Sequence, residues 1–166
     1  ELGQAVNVKL PMAIAGDALI SSLEAPALNS TQLRLARVAS PTAIPEEIFS
    51  TPTAGFVTAI EATGDTILAV VTQHVTSQPP LAFVSNDGGS TWSEAELPAP
   101  PDIPLSEAAA TDAAISPDRF VVLGPRGVWV SATGNDWEFV EVLEVDTELP
   151  RRTEHGGAAF DFALTP

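Results

Sequence analysis

The chain contains no cysteine and no tyrosine among its 166 residues. Without cysteine it has no disulfide, no thiolate metal site and no cysteine nucleophile. A protein without disulfides can occupy any cellular compartment, so the redox location stays open. The absence of tyrosine removes the phenol group as a nucleophile, which bears on one class of enzyme considered below.

Basic residues are scarce. Lys9 is the one lysine, and six arginines accompany it, against 22 aspartates and glutamates. The formal net charge is therefore −15. A charge of this sign repels polyanions instead of attracting them, so no nucleic-acid partner is expected.

Long hydrophobic runs are absent as well. No apolar run approaches the roughly 20 residues that a transmembrane helix needs, so no membrane span is expected. Hydrophobic residues still make up 45% of the chain, which is enough for a folded core. The chain begins at Glu1 and shows no charged-then-apolar leader, as in a processed product or a piece cut from a longer chain. An extracytoplasmic protein, whether secreted, periplasmic or at the cell surface, is the expectation.

The most informative motif is Ser85–Trp92, with the sequence SNDGGSTW. Asp87 can accept bonds from nearby backbone amides, and Gly89 can adopt the positive φ of a tight hairpin. Trp92 brings an apolar ring back over the turn, and Ser85 offers a hydroxyl at the end of the incoming strand. The motif resembles the Asp-box, or BNR repeat, of β-propeller proteins in the sialidase and sortilin-like superfamily. This resemblance implies an all-β fold and a structural role for the four residues.

An internal repeat follows from this motif. A shortened, degraded box begins at Ser131, 46 residues after Ser85, and ends at Trp137, with Thr133 where the aspartate should be. No box follows Ser40, so the first repeat is divergent. A second landmark is a turn before an apolar strand, and its aspartates recur at steps of 48 and 53 residues: Asp17, Asp65 and Asp118. Four-stranded propeller blades repeat at about 40 to 50 residues, so both landmarks predict the same unit.

The repeat divides a single propeller domain, residues 1–166, into about three four-stranded antiparallel blades plus one strand. The predicted segments are blade 1 at about 5–50, blade 2 at about 55–97, blade 3 at about 108–148, and the first strand of a next blade at about 157–166. Two apolar runs without alternation, Ile67–Val71 and Phe120–Leu123, are typical of strands buried on both faces. The proline-rich segment Leu97–Leu105 between blades 2 and 3 is predicted to be an extended, solvated connector.

Closed propellers have roughly four to eight blades, because an open arc exposes two flat sheet faces. Three alternatives remain for completing the ring. The chain is one piece of a longer or cleaved propeller, copies of it pair as a homo-oligomer, or the N-terminal region adds an irregular fourth sheet.

The residues do not fit a sialidase. Such enzymes, which the resemblance brings into consideration, use three arginines, a tyrosine nucleophile with a glutamate partner, and an aspartate acid/base. This chain lacks tyrosine, and Arg151 and Arg152 do not match the segment that carries the first arginine. Asp112 and Asp161 are the candidates for other carboxylate chemistry, since both lie on predicted inner strands that can line the central channel.

No metal or cofactor is expected, because His74 and His155 are 81 residues apart and no cysteine accompanies them. The leading hypothesis is a non-enzymatic, extracytoplasmic propeller module that binds a protein or a glycan. Two alternatives stay open. One is a glycan-active hydrolase with carboxylates in the channel, and the other is a structural arc that oligomerises through its open blade faces.

Overall fold

The structure, a computed structural model, describes residues 11–23, 32–53, 55–73 and 78–142. Within these ranges the chain forms three sheets, and each is built from four strands that follow one another in sequence and pair antiparallel. This is the all-β arrangement of four-stranded antiparallel blades that the repeat predicts. The described residues include no helix that is long and apolar enough to cross a membrane.

Sheet 1 is the divergent first repeat. Its strands are β1 (Met12–Ala15), β2 (Ala18–Ser22), β3 (Leu33–Val38) and β4 (Glu46–Thr51). The β1–β2 hairpin turns at Gly16, whose φ of 61° suits glycine. After β3 the chain makes a short turn in which the Ala43 amide donates to the Ser40 carbonyl at 3.0 Å. The turn that carries a box in the later sheets is therefore built here without one.

Sheet 2 contains the best-matched repeat. Its strands are β5 (Gly55–Thr63), β6 (Thr66–Gln73), β7 (Leu81–Ser85) and β8 (Ser93–Glu96). Every residue of Ile67–Val71 on β6 is fully buried, as its unbroken apolar sequence predicts. Both faces of sheet 2 are thus covered by other parts of the protein.

Sheet 3 repeats the same order of strands. They are β9 (Asp112–Ser116), β10 (Arg119–Gly124), β11 (Gly127–Ser131) and β12 (Glu138–Glu141). The expectation for Phe120–Leu123 is only half right, because Phe120 and Val122 are buried whereas Val121 and Leu123 are partly exposed. One face of sheet 3 packs on sheet 2. In the described ranges no sheet covers the opposite face of sheet 3.

The three sheets stand side by side with their first strands together. Strand β5 contacts both β1 and β9, so the first strand of each sheet is the inner strand of the arc. One apolar core lies between sheets 1 and 2 and contains Leu35, Ile67 and Phe83. A second lies between sheets 2 and 3 and contains Leu68 and Trp129. Sheet 2 is therefore the middle layer of a three-sheet arc.

The connector between sheets 2 and 3 is solvated over most of its length, as predicted, but it is anchored at its beginning. Leu97 is fully buried in the second core, and the Pro98 carbonyl accepts a hydrogen bond from the indole N–H of Trp129 at 2.8 Å. A short 3₁₀ turn, Leu105–Glu107, follows. The proline content of the connector suggests an extended chain. Burial of Leu97 and the hydrogen bond from Trp129 to Pro98 hold the start of the connector against sheet 3. The predicted strand at 157–166 lies outside the described residues.

Candidate functional site

The first box, Ser85–Trp92, forms the turn between β7 and β8. The buried Ser85 hydroxyl accepts a hydrogen bond from the Gly89 amide at 2.8 Å and a longer one from the Asp87 amide at 3.4 Å. It donates to Oδ1 of Asp87 at 2.9 Å. Gly88 and Gly89 have φ values of 70° and 95°, a region that glycine adopts without strain. Ser85 therefore closes the turn from the strand side.

The Asp87 carboxylate closes the same turn from the other side. It accepts bonds from the Thr91 hydroxyl at 2.6 Å and from the Thr91 amide at 2.8 Å. These bonds, with the Thr91 hydroxyl making the largest contribution and Ser85 adding to it, lower the pKa of Asp87 from 3.8 to about 2. A carboxylate that stays ionised in this way is a poor proton donor near neutral pH. Asp87 is therefore suited to holding the turn.

The first box also ties sheet 2 to sheet 1. The indole Nε1 of Trp92 donates to the Ile48 carbonyl at 3.1 Å, and its ring lies 4.8 Å from the ring of Phe49. The guanidinium of Arg37 donates to the Gly88 carbonyl at 2.8 Å. Ile48, Phe49 and Arg37 all belong to sheet 1, so the box is a clamp between two blades as well as a turn.

The second box, Ser131–Trp137, keeps this design with fewer groups. The Ser131 hydroxyl accepts from the amides of Gly134 at 2.8 Å and Thr133 at 3.3 Å. The indole N–H of Trp137 donates to the Gly134 carbonyl at 2.9 Å. Thr133 occupies the place of the aspartate, and its hydroxyl accepts from the Asn135 amide at 3.2 Å. The neutral hydroxyl oxygen of Thr133 thus takes the place of the charged carboxylate of Asp87 in the first box.

Both boxes press a glycine against the preceding sheet. A Cβ on Gly89 would lie 2.9 Å from Cδ1 of Ile48 in sheet 1, and one on Gly134 would lie 2.8 Å from Cγ2 of Val84 in sheet 2. These separations are too short for a real side chain, so both positions require glycine for packing as well as for their positive φ. The boxes therefore set the distance between neighbouring blades.

Acidic side chains from two inner strands interact. Asp112, the predicted candidate, begins β9 and is exposed, and its Oδ1 accepts from the Ala113 amide at 2.9 Å. Glu61 lies on the adjacent inner strand β5, where burial, and next the charge of Asp112, raises its pKa. Asp161, the other predicted candidate, lies outside the described residues. Asp112 therefore lies near enough to Glu61 for its charge to disfavour ionisation of Glu61.

The sequence motifs do not identify Glu61 as a site residue. A signal was available, because Glu61 is the one charged residue of Gly55–Thr63, which otherwise contains glycine, threonine and apolar residues. A lone acid in an inner strand merits attention, since inner strands line the channel of a propeller. The sequence does not show that the acid of the next inner strand lies close enough to shift its pKa.

The remaining candidates are not brought together. His74 and His155 lie outside the described residues. In the described ranges no three histidine or acidic side chains are grouped closely enough to hold a metal ion. An open depression of about 380 Å³ beside the second box is lined in part by Asp118, Asp136 and Trp137, but it does not include Asp112. The inner-strand pair of Glu61 and Asp112 is therefore the candidate site.

Comparison with known proteins identifies solved structures with a similar fold. No protein-family model and no curated protein matches the chain. Among solved structures it is similar to YCF48 from Cyanidioschyzon merolae, with a TM-score of 0.50 and 13% identity over 81% of this chain and 38% of that one. It is also similar to YCF48 bound to D1 peptide, with a TM-score of 0.53 and 13% identity over 81% of this chain and 40% of that one. The chain spans about two fifths of the length of these structures. The likeness confirms a partial β-propeller.

Proposed function

We propose that the chain is part of a non-enzymatic propeller that binds a protein partner through the inner-strand side of its arc. The observation that carries the proposal is the pairing of Glu61 with Asp112 on adjacent inner strands. Glu61 is half-buried, and burial and then the charge of Asp112 raise its pKa, so an ionised Glu61 is unfavourable in this place. A binding site offsets this when a cation arrives between the two charges. The similarity to a propeller with a bound peptide supports a protein ligand.

The charge of the chain indicates the kind of partner. The formal net charge of −15 attracts positively charged segments over distances of about a Debye length, roughly 10 Å at moderate salt. We propose a protein segment that carries lysine or arginine as the ligand of the Glu61 and Asp112 pair. A neutral glycan gains nothing from this field, so it is the less favoured ligand.

We also propose that the protein is an Asp-box propeller that acts outside the cytoplasm. The geometry of Ser85, Asp87, Gly89 and Trp92 supports the first statement, since each residue has the structural role that the motif implies. The second is supported by the resemblance of the box to that of the sialidase and sortilin-like superfamily. Fractionation of cells that produce the parent polypeptide tests it, and recovery in the cytoplasm alone would refute it.

Binding assays with matched variants test the proposed function. The parent chain, Asp112→Asn, Glu61→Gln and the double variant are titrated with lysine-rich, acidic and neutral peptides of equal length and with a panel of glycans. Glu94→Gln serves as the control, because Glu94 is an exposed acid on the outer strand β8. We expect the parent to bind the basic peptide in a salt-sensitive way. The affinity for the basic peptide should fall about tenfold or more in the double variant, because the hydrogen bonds between the two carboxylates and a cationic side chain of the peptide are lost.

The control variant should bind like the parent. Equal binding of acidic and basic peptides, or equal affinity of the double variant and the parent, would refute the proposal. Binding of glycans without binding of any peptide would replace the protein ligand with a sugar.

One observation favours a second candidate, a glycan-active hydrolase. Glycosidases need one carboxyl group with a raised pKa beside a second that stays ionised. Glu61 has the raised pKa, and Asp112 is the charged group that contributes to it. Turnover of any glycan by the parent that is lost in Asp112→Asn and in Glu61→Gln would favour this candidate over a binding module.

A further inference from the structure

The outward side of sheet 3 is apolar over most of its width. Its side chains line up across the strands in two rows, Ala114 with Val121 and Val130, and Leu123 with Val128 and Val140. Each row has an acid at one end, Glu138 beside Val130 and Asp112 beside Leu123. We call the six apolar residues the valine face. They point away from the core shared with sheet 2, and Val140 is 43% exposed. Such an apolar surface on a sheet is typical of a contact with another element.

The valine face has the same construction as the side of sheet 2 that packs on sheet 3. The two sheets align at their first hairpins, where Thr63 pairs with Thr66 and Ser116 pairs with Arg119. From that alignment the residues of sheet 2 that correspond to Val121, Leu123, Val128 and Val130 are Leu68, Val70, Ala82 and Val84. All four of these are buried in the core between sheets 2 and 3. The valine face therefore has the pattern of a surface that the next blade covers.

The sequence contains a segment that fits this surface. Gly157–Pro166, GAAFDFALTP, repeats Ala108–Pro117, AAATDAAISP, at a step of 49 residues with five identities. The earlier segment includes β9, in which Ala113 and Ile115 pack against sheet 2. The residues at the same places in the repeat are Phe162, which is much larger than Ala113, and Leu164, which has the same size as Ile115.

The sizes of the side chains are complementary. In sheet 2 the position that corresponds to Ala114 is Glu61, and the inner strand that lies beside it carries the small Ala113. In sheet 3 the long acid is replaced by Ala114, and the repeat carries Phe162 in place of Ala113. In the sequence, the smaller residue at one position is thus accompanied by a larger residue at the other, the kind of exchange that keeps two packed strands filled.

We propose that Gly157–Pro166 packs on the valine face as the inner strand of a further blade, with Phe162 and Leu164 against Ala114, Val121 and Leu123. The segment then lies beside β9 as β9 lies beside β5. This inference concerns how the arc is extended and does not depend on the proposed ligand. It also places Asp161 beside Ala114, as Asp112 lies beside Glu61.

Cross-linking between introduced cysteines tests the contact. The chain has no cysteine of its own, so no native thiol competes for the reagent. The full chain carries Ala114→Cys with Asp161→Cys and is treated with a short bismaleimide. In the control, Glu94→Cys on the outer strand of sheet 2 replaces Ala114→Cys. Mixing isotope-labelled and unlabelled protein distinguishes links within a chain from links between chains by mass spectrometry. We expect links within a chain, several-fold more abundant than in the control.

Each other outcome overturns the proposal. Links of mixed isotope composition would assign the valine face to a second copy of the chain. A folded variant that cross-links no better than the control would show that the segment lies elsewhere. If the first pair does not give a β-type circular dichroism spectrum, Ser116→Cys with Ala163→Cys tests the same register two residues further along.

Binding of a hydrophobic dye provides a second measurement on cysteine-free protein. Phe162→Ser should uncover the valine face and raise the fluorescence of the dye several-fold. Ile44→Ser is the control, since Ile44 is 90% exposed and far from the face in sequence. Equal fluorescence of Phe162→Ser and the parent would contradict the proposal.

Discussion

The indole Nε1 of Trp92 lies 3.1 Å from the carbonyl oxygen of Ile48, so the last residue of the first box donates a hydrogen bond to the outer strand of the neighbouring sheet. Trp92 also donates to the Gly89 carbonyl at 3.0 Å, and Trp137 makes the corresponding bond to Gly134 within its own turn. Both tryptophans therefore make the bond within the turn, and Trp92 adds a bond to the neighbouring sheet. The difference allows the clamp between blades to be tested separately from the turn.

Trp92→Phe should loosen sheet 1. The substitution removes the N–H and part of the ring system, so the bonds to Ile48 and Gly89 are both lost, each at a cost of about 1 kcal/mol. The bond to Gly89 has its counterpart in Trp137, and the bond to Ile48 does not. Hydrogen exchange measured by mass spectrometry should become faster across Glu46–Thr51. Trp137→Phe is the matched control and should leave exchange in this strand unchanged. Equal exchange of Glu46–Thr51 in both variants would contradict a clamp at Trp92.

Asp87→Asn should lower stability near neutral pH and lose its effect in acid. The pKa of Asp87 is about 2 in the folded protein against 3.8 ordinarily, so its ionised form stabilises the fold. That contribution is present above pH 3.8 and is lost as the pH falls through about 2. Urea denaturation of parent and variant across this range measures it. A difference in midpoint that is the same at all pH values would refute the linkage.

Gly124→Ala should destabilise sheet 3. A Cβ at this position would lie 2.3 Å from Cζ3 of Trp129, a fully buried ring, so either the ring or the strand must move. Overpacking of this kind costs about 1–3 kcal/mol. Urea denaturation measures the loss. Trp129→Leu removes the ring that the added methyl group would meet. The double variant Gly124→Ala with Trp129→Leu should therefore lose less stability than the sum of the losses in the two single variants. A loss equal to that sum would argue against a clash.

Glu61→Gln should stabilise the protein at neutral pH. Burial, and next the charge of Asp112, raises the pKa of Glu61, so its ionised form opposes folding. The stability that the protonated acid provides is present below its ordinary pKa and is lost as the pH rises through the raised value. The advantage of the glutamine variant should therefore appear only as the pH rises. Denaturation midpoints at acidic and neutral pH measure this, and an advantage in acid alone would contradict it.

Much of the fold follows from local patterns in the sequence. The turns with Asp17, Asp65 and Asp118 each join the first two strands of a sheet, as their spacing predicts. Turn residues and apolar runs act over a few residues, so a short stretch of sequence contains most of the information that is needed. The hydrogen bonds of Ser85 and Asp87 are predictable for the same reason.

Contacts between sheets could not be predicted in this way. The bond from Trp92 to Ile48 spans 44 residues, and nothing near Trp92 identifies its acceptor. Val121 and Leu123 have the apolar sequence of doubly buried residues, yet their exposure depends on what lies over sheet 3. The interaction of Glu61 with Asp112 also depends on the position of two strands that are distant in sequence. Packing between elements decides each of these features.

The docking of each box on the preceding sheet has a consequence for the order in which the protein matures. Sheet 1 ends at Thr51, but the indole that binds its outer strand is at position 92, so the ribosome makes the blade before it makes the clamp. A nascent chain that stops before Ser85 should hold its first blade loosely, as protease cleavage in Glu46–Thr51 can show. The first blade is thus finished by the blade that is translated after it.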